Sequence, residues 1–329
     1  MRFARPVLFL LLLFPLWASA QAPERLRMLE MPDTLHAARF WTCVSGGTLI
    51  YSGVSYGLWQ AWYKGFDLGP FHFFNDFGEW EHIDKAGHLF TAYHEAQWVF
   101  GGARWTGMQR RKALWTGVAV GSGLQLTIEV MDGFSEKWGF SVPDFAANTL
   151  GVSLFAVQEL LWEEQRAQLK LSPSPNHYPS MPITSLDGMQ QTNLSDRVAE
   201  LYGTGFFESF LKDYNAQTYW LSVNPAAFFT DTPKWLPAWL NVALGYGAGN
   251  LFGGYANAWP SEEPAYLLSD AVYPRYRQYY LSLDVDLRRI PVKSRFVKFL
   301  FGVVNFIKIP APALEINSLG TVRFHPLFW

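Results

Sequence analysis

The chain has 329 residues, only 16% of them charged and 17% aromatic, with a formal net charge of -2. That near-neutral balance, with no basic stripe interleaved with aromatics, excludes nucleic acid as the expected partner. Charged residues fall below the about 25% usual in soluble proteins, while 15 Trp and 27 Phe suit a surface in contact with a bilayer. A large soluble core is the alternative left open by a mean hydropathy of +0.01.

Met1–Ala20 joins a short basic start, Arg2 and Arg5, to an apolar run and a small-residue end, Ala18-Ser19-Ala20. This is the pattern of a secretory signal peptide, which sets residues 1–20 apart from the fold. The apolar run is shorter than the roughly 20 residues of a membrane span, which weighs against an uncleaved anchor. A single cysteine, Cys43, excludes an intramolecular disulfide and reads as a small buried residue on the first helix. Phe40–Tyr63 carries no charge. It is long enough to span a bilayer, and Gly53 and Gly57 would permit close helix approach. The same stretch would serve as the central helix of a soluble bundle.

After a loop rich in Gly and Phe, a second helix begins near Glu81. Asp84 and His88 lie one turn apart on one face of it, with Glu81 and Glu95 close to that stripe. A basic loop (Arg104, Arg110, Arg111, Lys112) leads to a third helix over Ala113–Met131, with Gly117 and Gly121 as a second small-residue pair. Gln125, Glu129 and Asp132 share one face of that helix. The fourth helix runs over Val142–Trp162 from a capping box, Ser141-Val-Pro-Asp144, and Asp144, Asn148 and Gly151 again share a face. An up-down-up-down order brings the start of helix two, the end of helix three and the start of helix four together. Asp84, His88, Glu129, Asp132, Asp144 and Asn148 therefore converge. If the helices spanned a membrane, the basic loop would lie in the cytoplasm, and so would the C-terminal half. A packed or peripheral helical core on the periplasmic side is the preferred arrangement.

Leu171–Asp187 is rich in Pro and Ser and reads as a linker between a helical core, residues 33–170, and a strand- and aromatic-rich domain, residues 188–329. In the latter, Val198–Tyr214 suggests a short helix, and Thr218–Val223, Leu240–Tyr246, Gln278–Leu287 and Leu314–Phe324 suggest strands. The aromatic end is similar to the closing strand of an outer-membrane barrel. Pro326 and the small number of strands favour a partial sheet packed on the helices. The fold class is α+β: an antiparallel four-helix core, then antiparallel strands and irregular aromatic-rich segments.

Asp84-Lys85-x-x-His88, Glu129-x-x-Asp132, Gly139-Phe140-Ser141-x-x-Asp144 and Asn148-x-x-Gly151 together resemble a bacterial family called domain of unknown function 2279, described as predicted periplasmic lipoproteins. The same skeleton has a weaker similarity to VanZ-like membrane proteins. The first resemblance implies an envelope location and a helical core, and it implies no activity. The chain departs from the lipoprotein pattern in having no cysteine directly after its signal.

Two readings of the polar residues follow. In the chemical one, Asp84, Lys85, His88, Glu129, Asp144 and Asn148 form an acid–base centre, with His88 as base and Lys85 or Asn148 stabilising an oxyanion or phosphate. A variant of it gives Asp84, His88, Glu129, Asp132 and Asp144 to a divalent metal; no other cofactor is indicated. The activity would be a hydrolase or transferase on an envelope lipid or phosphate ester. In the structural reading, Asp84 caps a helix, Asp144 belongs to a capping box and Asn148 bonds across to Glu129 or to a loop amide. No G-x-S-x-G, Walker A, G-x-G-x-x-G or H-E-x-x-H pattern is present. The structural reading is preferred. It gives an exported, membrane-associated protein of the periplasm or a membrane, the outer membrane included, with a structural or interaction role. Its expected partner is a membrane or envelope lipid, with a protein partner as a further option.

Overall fold

The computed structural model describes residues 27–63, 67–174, 176–259 and 265–329. The expected signal peptide, residues 1–20, lies outside the described residues. Four long helices come first: α1 (Ala37–Leu58), α2 (Ile83–Trp105), α3 (Arg110–Gly133) and α4 (Val142–Trp162). Two short ones, α5 (Leu194–Tyr202) and α6 (Phe206–Lys212), replace the single helix expected near Val198–Tyr214.

Small residues decide how α2, α3 and α4 meet. A Cβ on Gly117 would lie 2.6 Å from the Ala96 carbonyl oxygen, and one on Gly151 would lie 2.2 Å from that of Leu89. The backbones approach this closely because nothing larger stands there. Ala92, Tyr93, Ala96, Leu114, Val152 and Phe155 fill the core between them. The Gly53/Gly57 pair of α1 has no such neighbour; a Cβ at either position meets nothing within 4 Å. Arg39 alone of the α1 residues is buried, so the core is centred on α2–α4, with α1 alongside. Among the described residues, no helix is long and apolar enough to cross a membrane.

Six antiparallel strands form the main sheet: β1 (Ala167–Pro173), β2 (Gln217–Val223), β3 (Leu240–Gly249), β4 (Tyr276–Val285), β5 (Ala311–Asn317) and β6 (Val322–Phe328). They lie in sequence order across the sheet. Strand β1 was not expected, and the stretch read as a linker begins inside it. The stretch expected as one final strand is a hairpin instead. Asn317 Oδ1 accepts from the Leu319 and Thr321 amides at 3.1 and 3.0 Å, and Gly320 takes a φ of +81° in the turn. Pro326 sits in β6, at the sheet edge, where its missing N–H does least harm.

Register makes the two faces of this sheet opposites. One row runs Leu169, Leu221, Leu244, Leu281, Leu314, Phe324 across all six strands; its counterpart on the other face runs Lys170, Trp220, Gly245, Tyr280, Glu315, Arg323. The helices cover the leucine row only at Leu169 and Leu221. From β3 to β6 it is open, with Leu281 50% exposed. The polar face is the buried one. Lys170 Nζ lies 2.7 Å from Asp284 Oδ2 with both side chains fully buried, and Ser222 donates to the same oxygen at 2.6 Å. Gln168 donates to Asp286, and His325 lies 2.7 Å from Glu315. The sheet curls to enclose these groups. The Ser174 hydroxyl donates to the Trp329 carbonyl at 2.8 Å, and Leu171 exchanges backbone hydrogen bonds with Phe306 and Lys308. Apolar residues outside and ion pairs inside invert the arrangement of a sheet that faces water.

Candidate functional site

α2 is entered through one left-handed turn, with Trp80, Glu81 and His82 at φ of +51°, +51° and +65°. Each non-glycine residue in that conformation costs on the order of 1–2 kcal/mol. The C-terminal half holds the turn in place. Trp80 N donates to Gly254 O at 2.8 Å, the Tyr246 hydroxyl donates to Glu81 O, and the Glu81 carboxylate takes Arg275 and Arg277. Glu81 is thereby kept out of the polar cluster that follows, and Glu95 is engaged by Gln125 at 2.8 Å.

Within the cluster, Lys85 Nζ stands 2.6 Å from Asp76, 2.9 Å from Asp84 and 2.8 Å from Asp144. His88 Nε2 lies 3.9 Å from Asp84 Oδ1 and 3.8 Å from Asp144 Oδ2. On its other side His88 Nδ1 donates to Asn148 Oδ1 at 3.2 Å and lies 3.5 Å from Glu129 Oε1. Asn148 Nδ2 donates across to that Glu129 oxygen at 3.0 Å. The Ser141 hydroxyl accepts from the Asp144 amide at 3.0 Å, the N-cap bond of the expected box, and donates to Asp76 at 2.5 Å.

Two carboxylates depart from their expected places. Asp84 is not the N-cap of α2; His82 is, without a side-chain bond. Asp84 instead accepts from the Tyr214 hydroxyl at 2.9 Å, which ties the cluster to the C-terminal half. Asp132 is drawn to the π-helical turn Trp59–Tyr63 that follows α1, where the Tyr63 hydroxyl donates to it at 2.5 Å. Asp76, Tyr214 and Tyr63 were not foreseen. Asp76 lies in an irregular loop where no helical period marks it. Tyr214 is 130 residues away from Asp84 in the chain, beyond any local signal.

Burial opposes charge on His88, but Asp144, Asp84 and Glu129 outweigh it and raise its pKa to about 9. Burial drives Asp144 up to about 8, helped by the nearby Asp84 charge and opposed by His88. Glu129 is raised to about 7 and Asp132 to about 6, in both cases mainly by burial. Asp76 and Asp84 go the other way. Burial pushes each up, but hydrogen bonds and cations, Lys85 among them, bring both below the usual carboxylate range. The cluster thus holds its protons on Lys85, His88 and Asp144.

Of the five residues weighed as metal ligands, Asp84, His88 and Asp144 present donor atoms within 4.8 Å of one another. Glu129 faces the other nitrogen of His88, and Asp132 faces Tyr63. Lys85 already supplies a cation to both carboxylates of that set, Asp84 and Asp144.

Residues 73–159 match a family model described as "Predicted periplasmic lipoprotein (DUF2279)". The matched segment carries Asp76, Asp84, Lys85, His88, Glu129, Asp144 and Asn148, and it leaves out Tyr63, Tyr214 and the sheet. No curated protein and no solved structure matches.

Proposed function

We propose that the protein is exported to the cell envelope, rests against a membrane through the open face of its sheet, and serves a structural or interaction role there. The inverted sheet carries this reading. A soluble sheet hides its leucines and wets its ions; here Lys170 and Asp284 are sealed inside while Leu244, Leu281, Leu314 and Phe324 face out. Lipid is the solvent that favours that polarity, as in membrane barrels, and an apolar surface of this extent is otherwise an association hazard. The description of the matched family supports the envelope location. Cell fractionation tests it. The wild-type chain is expected in the membrane fraction after a high-salt wash, and the triple variant Leu244→Ser/Leu281→Ser/Leu314→Ser in the soluble fraction with its circular dichroism unchanged. A freely soluble wild type overturns the reading.

In this reading the lysine–carboxylate–histidine cluster is a lock. It joins α2, α3, α4 and the segment around Tyr214 through bonds that need no substrate. A second reading, a hydrolase or transferase using acid–base or metal chemistry, is favoured by one observation: Glu129 Oε2 is buried without a hydrogen-bond partner, which suits a missing ligand or proton. Metal analysis separates the two. Stoichiometric metal in the purified protein, lost in Asp144→Ala, supports the enzyme; a metal-free protein that complements a deletion strain supports the lock.

A further inference from the structure

We propose that helix α7 (Arg295–Val304) is an interfacial anchor that lies in the headgroup layer of an anionic leaflet. This rests on the membrane reading above and adds the chemistry of the partner. The Ser294 hydroxyl caps the helix by accepting from the Val297 amide at 3.4 Å, yet none of its ten residues is buried. Helical spacing places Phe296, Phe299, Leu300 and Val303 on one outward face, with Phe296 60% exposed, while Val297 and Phe301 are half-buried. Arg295 and Lys298 fall on the side away from that apolar centre.

Charge points to the same occupant. From Leu287 through Leu314 the chain has six basic residues and no acidic one. Lys293, Arg295 and Lys298 are exposed. Arg288 and Arg289 stand at the foot of the helix, held by Asp286 and Glu164. A headgroup layer meets both needs, since the acyl boundary accepts Phe and Leu while phosphates accept the cations. The helix also connects β4 to β5, whose Leu281 and Leu314 stand in the open row. Anchor and sheet face are therefore continuous.

Site-directed nitroxides test this in the full chain. In a Cys43→Ser background, Val303→Cys and Leu281→Cys variants are labelled and reconstituted into two kinds of vesicle. One is phosphatidylcholine alone, the other equal parts phosphatidylcholine and phosphatidylglycerol. Collision with oxygen reports lipid and collision with a nickel chelate reports water. Expected in the anionic vesicles is oxygen access at both sites. Adding Lys293→Gln, Arg295→Gln and Lys298→Gln together should shift the label at 303 to nickel access and leave the label at 281 unchanged. At about fivefold for each cation, the seating of α7 weakens on the order of a hundred-fold; the uncharged vesicles should mimic that loss. Nickel access at 303 with oxygen access at 281 overturns the anchor and spares the membrane reading. Nickel access at both overturns both. A triple variant identical to wild type, or equal seating in the two vesicles, overturns the requirement for anionic lipid.

Discussion

Lys85 is the residue on which the cluster balances, because three carboxylates within 2.9 Å share its one charge. Replacing it by Met leaves Asp76, Asp84 and Asp144 facing one another. Removing one partner from a buried ion pair costs about 3–5 kcal/mol, and denaturant unfolding of Lys85→Met should show a loss of that order. A loss under about 1 kcal/mol is the size of an exposed pair and would remove the lock from consideration. The protons add a pH signature. His88 is raised from 6.5 to about 9, so its stabilising share is complete below 6.5 and lost as pH climbs through 9. Asp144, Glu129 and Asp132 are raised to about 8, 7 and 6; folding favours their protonated forms, and their share is also lost as pH rises. Asp76 and Asp84 act in the opposite sense, losing their share in acid. The melting temperature should therefore peak at about pH 4 and fall from there to about pH 9. Asp144→Asn should flatten the part of that fall near pH 8; a wild-type curve still rising at pH 9 contradicts the assignment. Asp84, His88, Asp144 and Asn148 were legible in the sequence because helical spacing alone puts them on converging faces. Asp76 and Tyr214 were not, since tertiary placement of loops leaves no period to read.

The glycine pairs show at the level of helices what spacing conceals. Gly53/Gly57 and Gly117/Gly121 look alike as sequence, and both suggested close approach. Only the second has a partner, with Ala96 against it, and Gly151 meets Leu89 in the same way. Gly151→Ala should push α4 from α2, disturb the Asn148–Glu129 bond carried one turn earlier, and lower the melting temperature markedly. Gly53→Ala meets open space and should gain up to about 1 kcal/mol of helix propensity. Equal effects from the two would mean that α1 packs more closely than its surroundings indicate. Strand β1 escaped notice for a related reason. Its Gln168-Leu169-Lys170-Leu171-Ser172 alternates as a strand should, but both faces are buried, and the charged end of α4 and the Pro-rich run after it mask so short a stretch. The hairpin of β5 and β6 was read as one strand because Asn317 and Gly320 make a turn too short to break the apolar alternation.

For the molecule as a whole, the central fact is where the charges went. The helices and strands were mostly legible from period. Which side of the sheet faces outward was not, because an alternating strand has two faces and period does not say which one is covered. Composition carried the missing hint: few charges and many aromatics in a chain whose sheet seals the Lys170–Asp284 pair inside. This separates lipid from water by one substitution. Leu281 is half exposed, and in a water-facing sheet Leu281→Lys would be harmless, at most about 0.5 kcal/mol. Against lipid the same lysine is penalised, by about 2–4 kcal/mol at the bilayer middle and by less toward the headgroups. Its neighbour Ser282 faces the interior, where it donates to Pro312 O at 2.9 Å, so Ser282→Leu should be damaging in either medium. The expected result is that Leu281→Lys unfolds at markedly lower denaturant than wild type in lipid vesicles but alongside it in a mild detergent, while Ser282→Leu is impaired in both. If Leu281→Lys matches wild type in vesicles, the leucine row does not meet lipid, and the inverted sheet must be covered by a protein surface.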